Sequence, residues 1–143
     1  MPISGFVTEE MRRGGRRVGF RLEAFAGGEA LLAHVDLPGP PRVGRYGVDL
    51  EAFERIALPA LEPPDAGVVI VDELGKMELA SAGFREAVVD LFDGGVSLVA
   101  TVHSHSHPFT DGLKLRRGVE VVRLTRRNRD ELPDRLAERL LGG

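Results

Sequence analysis

The sequence predicts an α/β protein in which a parallel sheet carries helices on its faces and an antiparallel meander occupies the N-terminal part. Three observations lead there. Val68-Val69-Ile70-Val71 is a run of four β-branched residues opened by Gly67 and closed by Asp72-Glu73, the pattern of a strand buried on both faces. Two more apolar runs, residues 96–102 and 119–124, alternate with stretches of helical periodicity, and such alternation builds parallel sheets. Residues 5–35 instead alternate apolar and polar side chains loosely and are cut by Gly14-Gly15 and Gly27-Gly28, the punctuation of hairpins.

In chain order, residues 5–35 supply two or three antiparallel strands. Residues 37–41 hold three prolines and a glycine and read as a loop, which residues 42–47 continue. Asp49 then caps a helix over residues 50–61, with Leu50, Phe53, Ile56 and Ala57 on one face and Pro59 disturbing the last turn. After the strand that ends at Asp72, Ser81 caps a second helix whose Phe84, Val88, Leu91 and Phe92 recur at helical spacing; Asp93-Gly94-Gly95 stops it. Residues 96–102 form a second apolar β-type run, residues 110–117 a short helix or turn, and residues 119–124 a third such run. Asn128 caps a final helix over residues 129–141, favoured by Glu131 three residues later.

Composition narrows the function. The 143 residues, 43% apolar and 29% charged, suit one domain with a real core, spanning residues 1–143. A net charge of -3 gives no pull toward nucleic acid or an anionic membrane. The arginine clusters at Arg12 to Arg17 and Arg116 to Arg129 read as solvated faces or, alternatively, as groups that meet phosphates. Having no cysteine, the chain has no disulfide, thiolate metal site or cysteine nucleophile. The apolar runs are too short for a membrane span and the N-terminus lacks a signal-like segment, so the expected location is the cytoplasm. Acyl transfer finds no support, because no Gly-x-Ser-x-Gly elbow occurs.

Asp72 and Glu73 stand at the C-terminal end of their strand, where open α/β sheets place ligands. In phosphate-handling proteins a first acid there holds Mg²⁺ and a following Glu orients water; the alternative is the start of a solvated loop. Gly75 permits close backbone approach to a ligand, and Lys76 is a phosphate contact, a partner for Glu78 or a plain surface charge. His103, His105 and His107 alternate, which on an extended chain puts their rings on one side. They read as a metal site or as a loop at the ligand edge of the sheet, the absence of cysteine favouring the loop. Asn128-Arg129-Asp130 is accounted for by helix capping and an exposed charge pair.

Four blocks occur together in a distinctive order: Gly5-Phe6-Val7-Thr8-Glu9-Glu10, Gly44-Arg45-Tyr46-Gly47-Val48-Asp49, Val71-Asp72-Glu73-Leu74-Gly75-Lys76-Met77-Glu78-Leu79, and Thr125 with Asn128-Arg129-Asp130. Over essentially its whole length the chain resembles a P-loop nucleoside-triphosphatase of the cancer-related nucleoside-triphosphatase type. The resemblance implies a Rossmann-like P-loop sheet flanked by helices and slow, Mg²⁺-dependent hydrolysis of nucleoside triphosphates (ATP, GTP and others) to diphosphate and phosphate. It implies that Asp72 binds Mg²⁺ through water and that Glu73 is catalytic, positioning or activating the attacking water. Val69, Ile70, Val71, Asp72, Glu73, Leu74, Gly75 and Lys76 become a nucleotide-binding segment, with Asn128 and Arg129 near the base. Thr8 and Glu9 match the family without an implied role.

Members of that family open with a strand, a Gly-x-x-Gly-x-Gly-Lys-Thr loop and a helix before the Gly-Phe block, whereas this sequence starts almost at that block. The expected sheet therefore lacks its first strand, P-loop and first helix, roughly 30 residues, and the chain as it stands is expected to be inactive or impaired. An unpaired apolar edge beside the Asp72 strand, open to dimerisation or strand exchange, is a further expectation. The match runs through Pro2-Ile3-Ser4 to the first residue, which implies a complete form that carries the loop. Two other readings stay open. One is a non-catalytic nucleotide-binding or assembly module; the other is a nucleotide kinase, since Asp-Glu does not choose between water and another acceptor.

Overall fold

An antiparallel meander opens the chain: β1 (Ile3–Arg13), β2 (Arg16–Ala24) and β3 (Glu29–His34). It continues through β4 (Arg42–Val43) and β5 (Tyr46–Val48), and on its other edge β1 pairs in parallel with β6 (Val68–Asp72), which pairs in parallel with β7 (Ser97–Ala100). The result is one mixed sheet of order β4-β5-β3-β2-β1-β6-β7. The computed structural model describes residues 1–103 and 105–142. They fall into two compact units: Pro2–His103, which holds the whole sheet, and the segment that follows it, together with Met1.

Two helices cover the sheet where the sequence places them. In α1 (Leu50–Ala60) the Asp49 side chain accepts the Ala52 N–H at 3.0 Å, and the helix ends one residue past Pro59. In α2 (Ala82–Asp93) Ser81 Oγ accepts the Phe84 N–H at 3.0 Å. The Ser81 hydroxyl also donates to Glu54 Oε1 at 2.7 Å, tying the start of α2 to α1. Phe6 of β1, Phe53 of α1 and Phe84 of α2 are fully buried and meet ring to ring, with centroids 5.1 to 5.9 Å apart. Each such ring stabilises the fold by about 2 to 3 kcal/mol through burial.

Gly5 explains how β1 lies so close to β6. Its φ is +105°, and a Cβ added there would sit 1.8 Å from the Ile70 carbonyl oxygen. Only glycine fits that register.

Three expectations need correction. Residues 42–47 are not a continuous loop: β4 and β5 form a hairpin, and β5 docks on β3 with Ala33 opposite Val48. Tyr46, Gly47 and Val48 are all buried, a strand whose sequence signal is hidden by Gly44 just before it and Gly47 within it. The Asp72 strand has no unpaired edge. From Val68 to Val71 it is bonded to β1 on one side and β7 on the other, since buried backbone groups need partners on both edges. Among the described residues the edge strands of the sheet are β4 and β7. Residues 119–124 form no strand; Val121, Val122 and Leu124 are exposed. An apolar run becomes a strand only where another strand supplies its hydrogen bonds.

The second unit contains α3 (Pro108–Lys114) and α4 (Leu132–Gly142). α3 starts at proline, and His107 Nδ1 accepts the Phe109 N–H at 3.1 Å. α4 begins three residues later than expected and Asn128 does not cap it. Asn128 Oδ1 accepts the Thr125 N–H at 2.8 Å while the Asn128 N–H donates to Thr125 Oγ1 at 3.3 Å, a reciprocal pair that closes a turn before the helix. Among the described residues no helix is long and apolar enough to cross a membrane.

Candidate functional site

β6 delivers Asp72 to its C-terminal end between two threonines, one from each flanking strand. Thr8 of β1 donates from Oγ1 to the Asp72 carbonyl at 3.0 Å. Thr101, the residue after β7, donates from Oγ1 to Asp72 Oδ1 at 2.6 Å. The Thr101 backbone continues the clamp: its N–H donates to the Val71 carbonyl at 3.0 Å, and its carbonyl accepts the Leu74 N–H at 2.9 Å. Asp72 is thus fixed through its backbone and its carboxylate. Thr8, a match without an implied role, is a strand-end latch; Glu9 pairs with Arg21 at 2.7 Å on the exposed meander.

Glu73 follows through a cis peptide bond and is half-buried. Its Oε1 lies 3.2 Å from His103 Nε2. Leu74 turns its side chain into the core. At Gly75 the chain closes into a tight turn: the Gly75 N–H donates to Glu78 Oε2 at 2.8 Å and the Gly75 carbonyl accepts the Leu79 N–H at 2.9 Å. A Cβ at Gly75 would meet Glu78 Oε2 at 2.8 Å and Glu73 Oε1 at 3.2 Å, so two carboxyl groups converge on the bare α-carbon.

Glu78 is 3% exposed. Burial pushes its carboxyl up to about 8; the Gly75 N–H opposes that shift and the negative charges of Glu73 and Asp72 add to it. Lys76 stands exposed on the turn, and no ion pair joins it to Glu78 among the described residues.

The residues from Val69 to Lys76 therefore form one continuous feature. Val69 and Val71 are core positions of β6, Ile70 is half-buried beside them, Asp72 ends the strand, and Glu73, Leu74, Gly75 and Lys76 form the loop. Asn128 and Arg129 belong to the other unit. Asn128 spends its side chain on the turn, also donating from Nδ2 to the Arg123 carbonyl at 2.8 Å, while Arg129 is exposed with Nε 4.0 Å from Asp130 Oδ1. A cleft of about 280 Å³ there is lined by Asn128, Leu132, Arg135 and Arg139, and does not include Asp72 or Glu73. His103 and His107 have separate tasks, on Glu73 and at the start of α3. Among the described residues no three His, Asp or Glu side chains group to hold a metal.

Sequence reasoning missed Thr101, His103 as the neighbour of Glu73, and the burial of Glu78. Thr101 has a weak signal, a hydroxyl directly after an apolar β-type run. Nothing local marks Glu78 as buried close to three other charged residues, Asp72, Glu73 and Lys76. Chemically, the strand end offers one carboxylate held by a hydroxyl and a second beside an imidazole, an arrangement suited to orienting water and binding a hard cation.

The family model for NTPases matches residues 1–137. Nucleoside-triphosphatase THEP1 of Thermotoga petrophila is 45% identical over 130 residues, covering 90% of this chain and 73% of the relative. Human cancer-related nucleoside-triphosphatase is 38% identical over 150 residues, 94% of this chain and 79% of the relative. The crystal structure of THEP1 from the hyperthermophile Aquifex aeolicus superposes with a TM-score of 0.87 at 33% identity, over 96% of this chain and 83% of that one. The solution structure of a human cancer-related nucleoside triphosphatase gives 0.73 at 36% identity, over 95% and 80%. Sequence and fold agree over nearly the whole chain, and the chain belongs to the nucleoside-triphosphatase family.

Proposed function

We propose that this protein hydrolyses nucleoside triphosphates, ATP and GTP among them, to diphosphate and phosphate, acting in the cytoplasm without nucleic acid or membrane as partner. The observation that carries the reading is the placement of two adjacent carboxylates, Asp72 and Glu73, at the C-terminal end of a strand paired in parallel on both sides, the ligand end of such sheets. The activity in the names of its relatives supports it. The 143 residues include no Gly-rich Lys-Thr loop. The reading is of a form in which such a loop cradles the phosphates.

The donor set fits Mg²⁺. The Asp72 carboxylate and the Thr8 and Thr101 hydroxyls are hard oxygens, and this ion takes one or two carboxylates together with waters and substrate phosphates. Asp72 would hold it through water; when bound, it neutralises charge on the phosphate oxygens. Glu73 accepts a hydrogen bond from the attacking water and takes its proton as the new P–O bond forms and the bond to the leaving diphosphate breaks. His103 orients the Glu73 carboxylate from 3.2 Å. Leu74 and Gly75 shape the loop, and exposed Lys76 offers a cation to a phosphate.

The test is to mix the native protein with a triphosphate and Mg²⁺ and follow products. One phosphate released per triphosphate supports hydrolysis. Transfer of the phosphoryl group to a second nucleotide would replace the reading with a kinase, and binding without turnover would replace it with a binding module.

A further inference from the structure

We propose that Glu78 is a positioning residue for the reaction: its buried side chain accepts the Gly75 N–H and so fixes the backbone that presents Glu73. The inference rests on the hydrolytic reading above and adds a residue to it.

The loop that carries Glu73 is pinned on one side by Thr101, which holds Asp72 and the Leu74 N–H. On the other side its anchor is the 2.8 Å bond from Gly75 to Glu78. Glu78 is itself immobilised. It opens a short 3₁₀ turn, Glu78–Ala80, and its carbonyl accepts the Ser81 N–H at 3.1 Å. Ser81 is bonded to Glu54 of α1, Arg85 of α2 donates to the Leu79 carbonyl, and Leu79 is buried. A continuous set of contacts therefore runs from both helices through Glu78 and Gly75 to Glu73. A buried acid is costly unless its hydrogen bonds are made, and a leucine would fill this space at lower cost. What leucine would not supply is an acceptor for Gly75.

Convergence at Gly75 makes the coupling geometric. With Glu78 Oε2 and Glu73 Oε1 only 2.8 and 3.2 Å from the same missing Cβ, displacement of Gly75 moves the ground on which Glu73 stands. Burial raises the Glu78 carboxyl to about 8, so at neutral pH it is mostly a neutral acid. Glutamine, with its carbonyl acceptor, is then its nearest substitute.

The experiment compares Glu78→Gln, Glu78→Leu and Glu78→Asp with the unsubstituted protein, each in the form that carries the phosphate-cradling loop. Phosphate release gives kcat and KM, and NMR relaxation gives backbone order at Glu73 and Gly75. The expected result is that Leu and Asp, which lose or fall short of the Gly75 bond, lower kcat by about 10- to 100-fold with KM nearly unchanged. Order at Glu73 and Gly75 falls with them, and Gln restores both readouts. Unchanged kcat and unchanged order in the Leu and Asp variants would overturn the proposal, as would a Gln variant as impaired as Leu. If Leu does not fold, Asp and Gln still separate the outcomes. Absence of phosphate release from the unsubstituted protein would defeat the hydrolytic reading instead, while the order measurements would still decide whether Glu78 holds the loop.

Discussion

Thr101 Oγ1 donates to Asp72 Oδ1 at 2.6 Å, linking the residue just past β7 to the last residue of β6. The bond fixes the orientation of the carboxylate assigned to Mg²⁺. It has a testable consequence. Thr101→Val keeps the shape and removes the donor. A hydrogen bond to a charged group contributes about 1.5 to 3 kcal/mol when sheltered, and this one is exposed, so the expected loss is about 1 kcal/mol. In a titration of phosphate release against Mg²⁺, the half-maximal concentration should rise about fivefold, with little change in unfolding temperature.

Glu78 makes stability depend on pH with a definite sign. Its folded carboxyl titrates near 8 against 4.5 for the ordinary group, so between those values the folded protein holds a proton that the unfolded chain has released. The contribution is fully present below about 4.5 and lost as pH rises through about 8, on the order of 5 kcal/mol at most. The charged groups around it are Asp72 at the end of β6 and Glu73 on the loop, with Glu54 and Arg85 on the helices that hold the turn. Urea unfolding from pH 5 to pH 9 should show the decline, and Glu78→Gln should flatten it. An equal slope in both proteins would assign the effect elsewhere.

The three-phenylalanine cluster is the energetic centre of the sheet unit. Phe84→Ala removes a fully buried ring that touches both Phe6 and Phe53, and is expected to cost about 3 to 5 kcal/mol. Equilibrium denaturation measures it directly. A cost below about 1 kcal/mol would mean that the cluster closes over the cavity.

Gly5→Ala is expected to be worse than its size suggests. The added carbon would overlap the Ile70 carbonyl and require φ of +105° from alanine, so β1 and β6 must separate. Amide protection of residues 68–71 should collapse, with a cost above about 3 kcal/mol; preserved protection would show that β1 can shift its register.

Much of this fold was legible because its signals are local. Asp49 and Ser81 mark their helices by capping chemistry, Gly14-Gly15 and Gly27-Gly28 separate the strands of the meander, and the β-branched run before Asp72 marks the central strand. What stayed hidden depends on partners distant in sequence. Thr101 lies 29 positions from Asp72, and spacing cannot announce that contact. The β4–β5 hairpin owes its existence to β3. Residues 119–124 have the composition of a strand and lack a partner. Asn128 looked like a helix cap because local rules do not tell a cap from a side chain closing the preceding turn with Thr125. The candidate acids were readable because their motif is contiguous; the groups holding them in place were not.

The most direct test of the account is Glu73→Gln in the native protein, with phosphate release and triphosphate affinity measured together in Mg²⁺. The account predicts that release falls at least about 100-fold while the dissociation constant stays within about threefold, because the substitution removes water orientation and leaves the binding surface intact. Release near the original rate would contradict it, and the catalytic role would then have to leave Glu73.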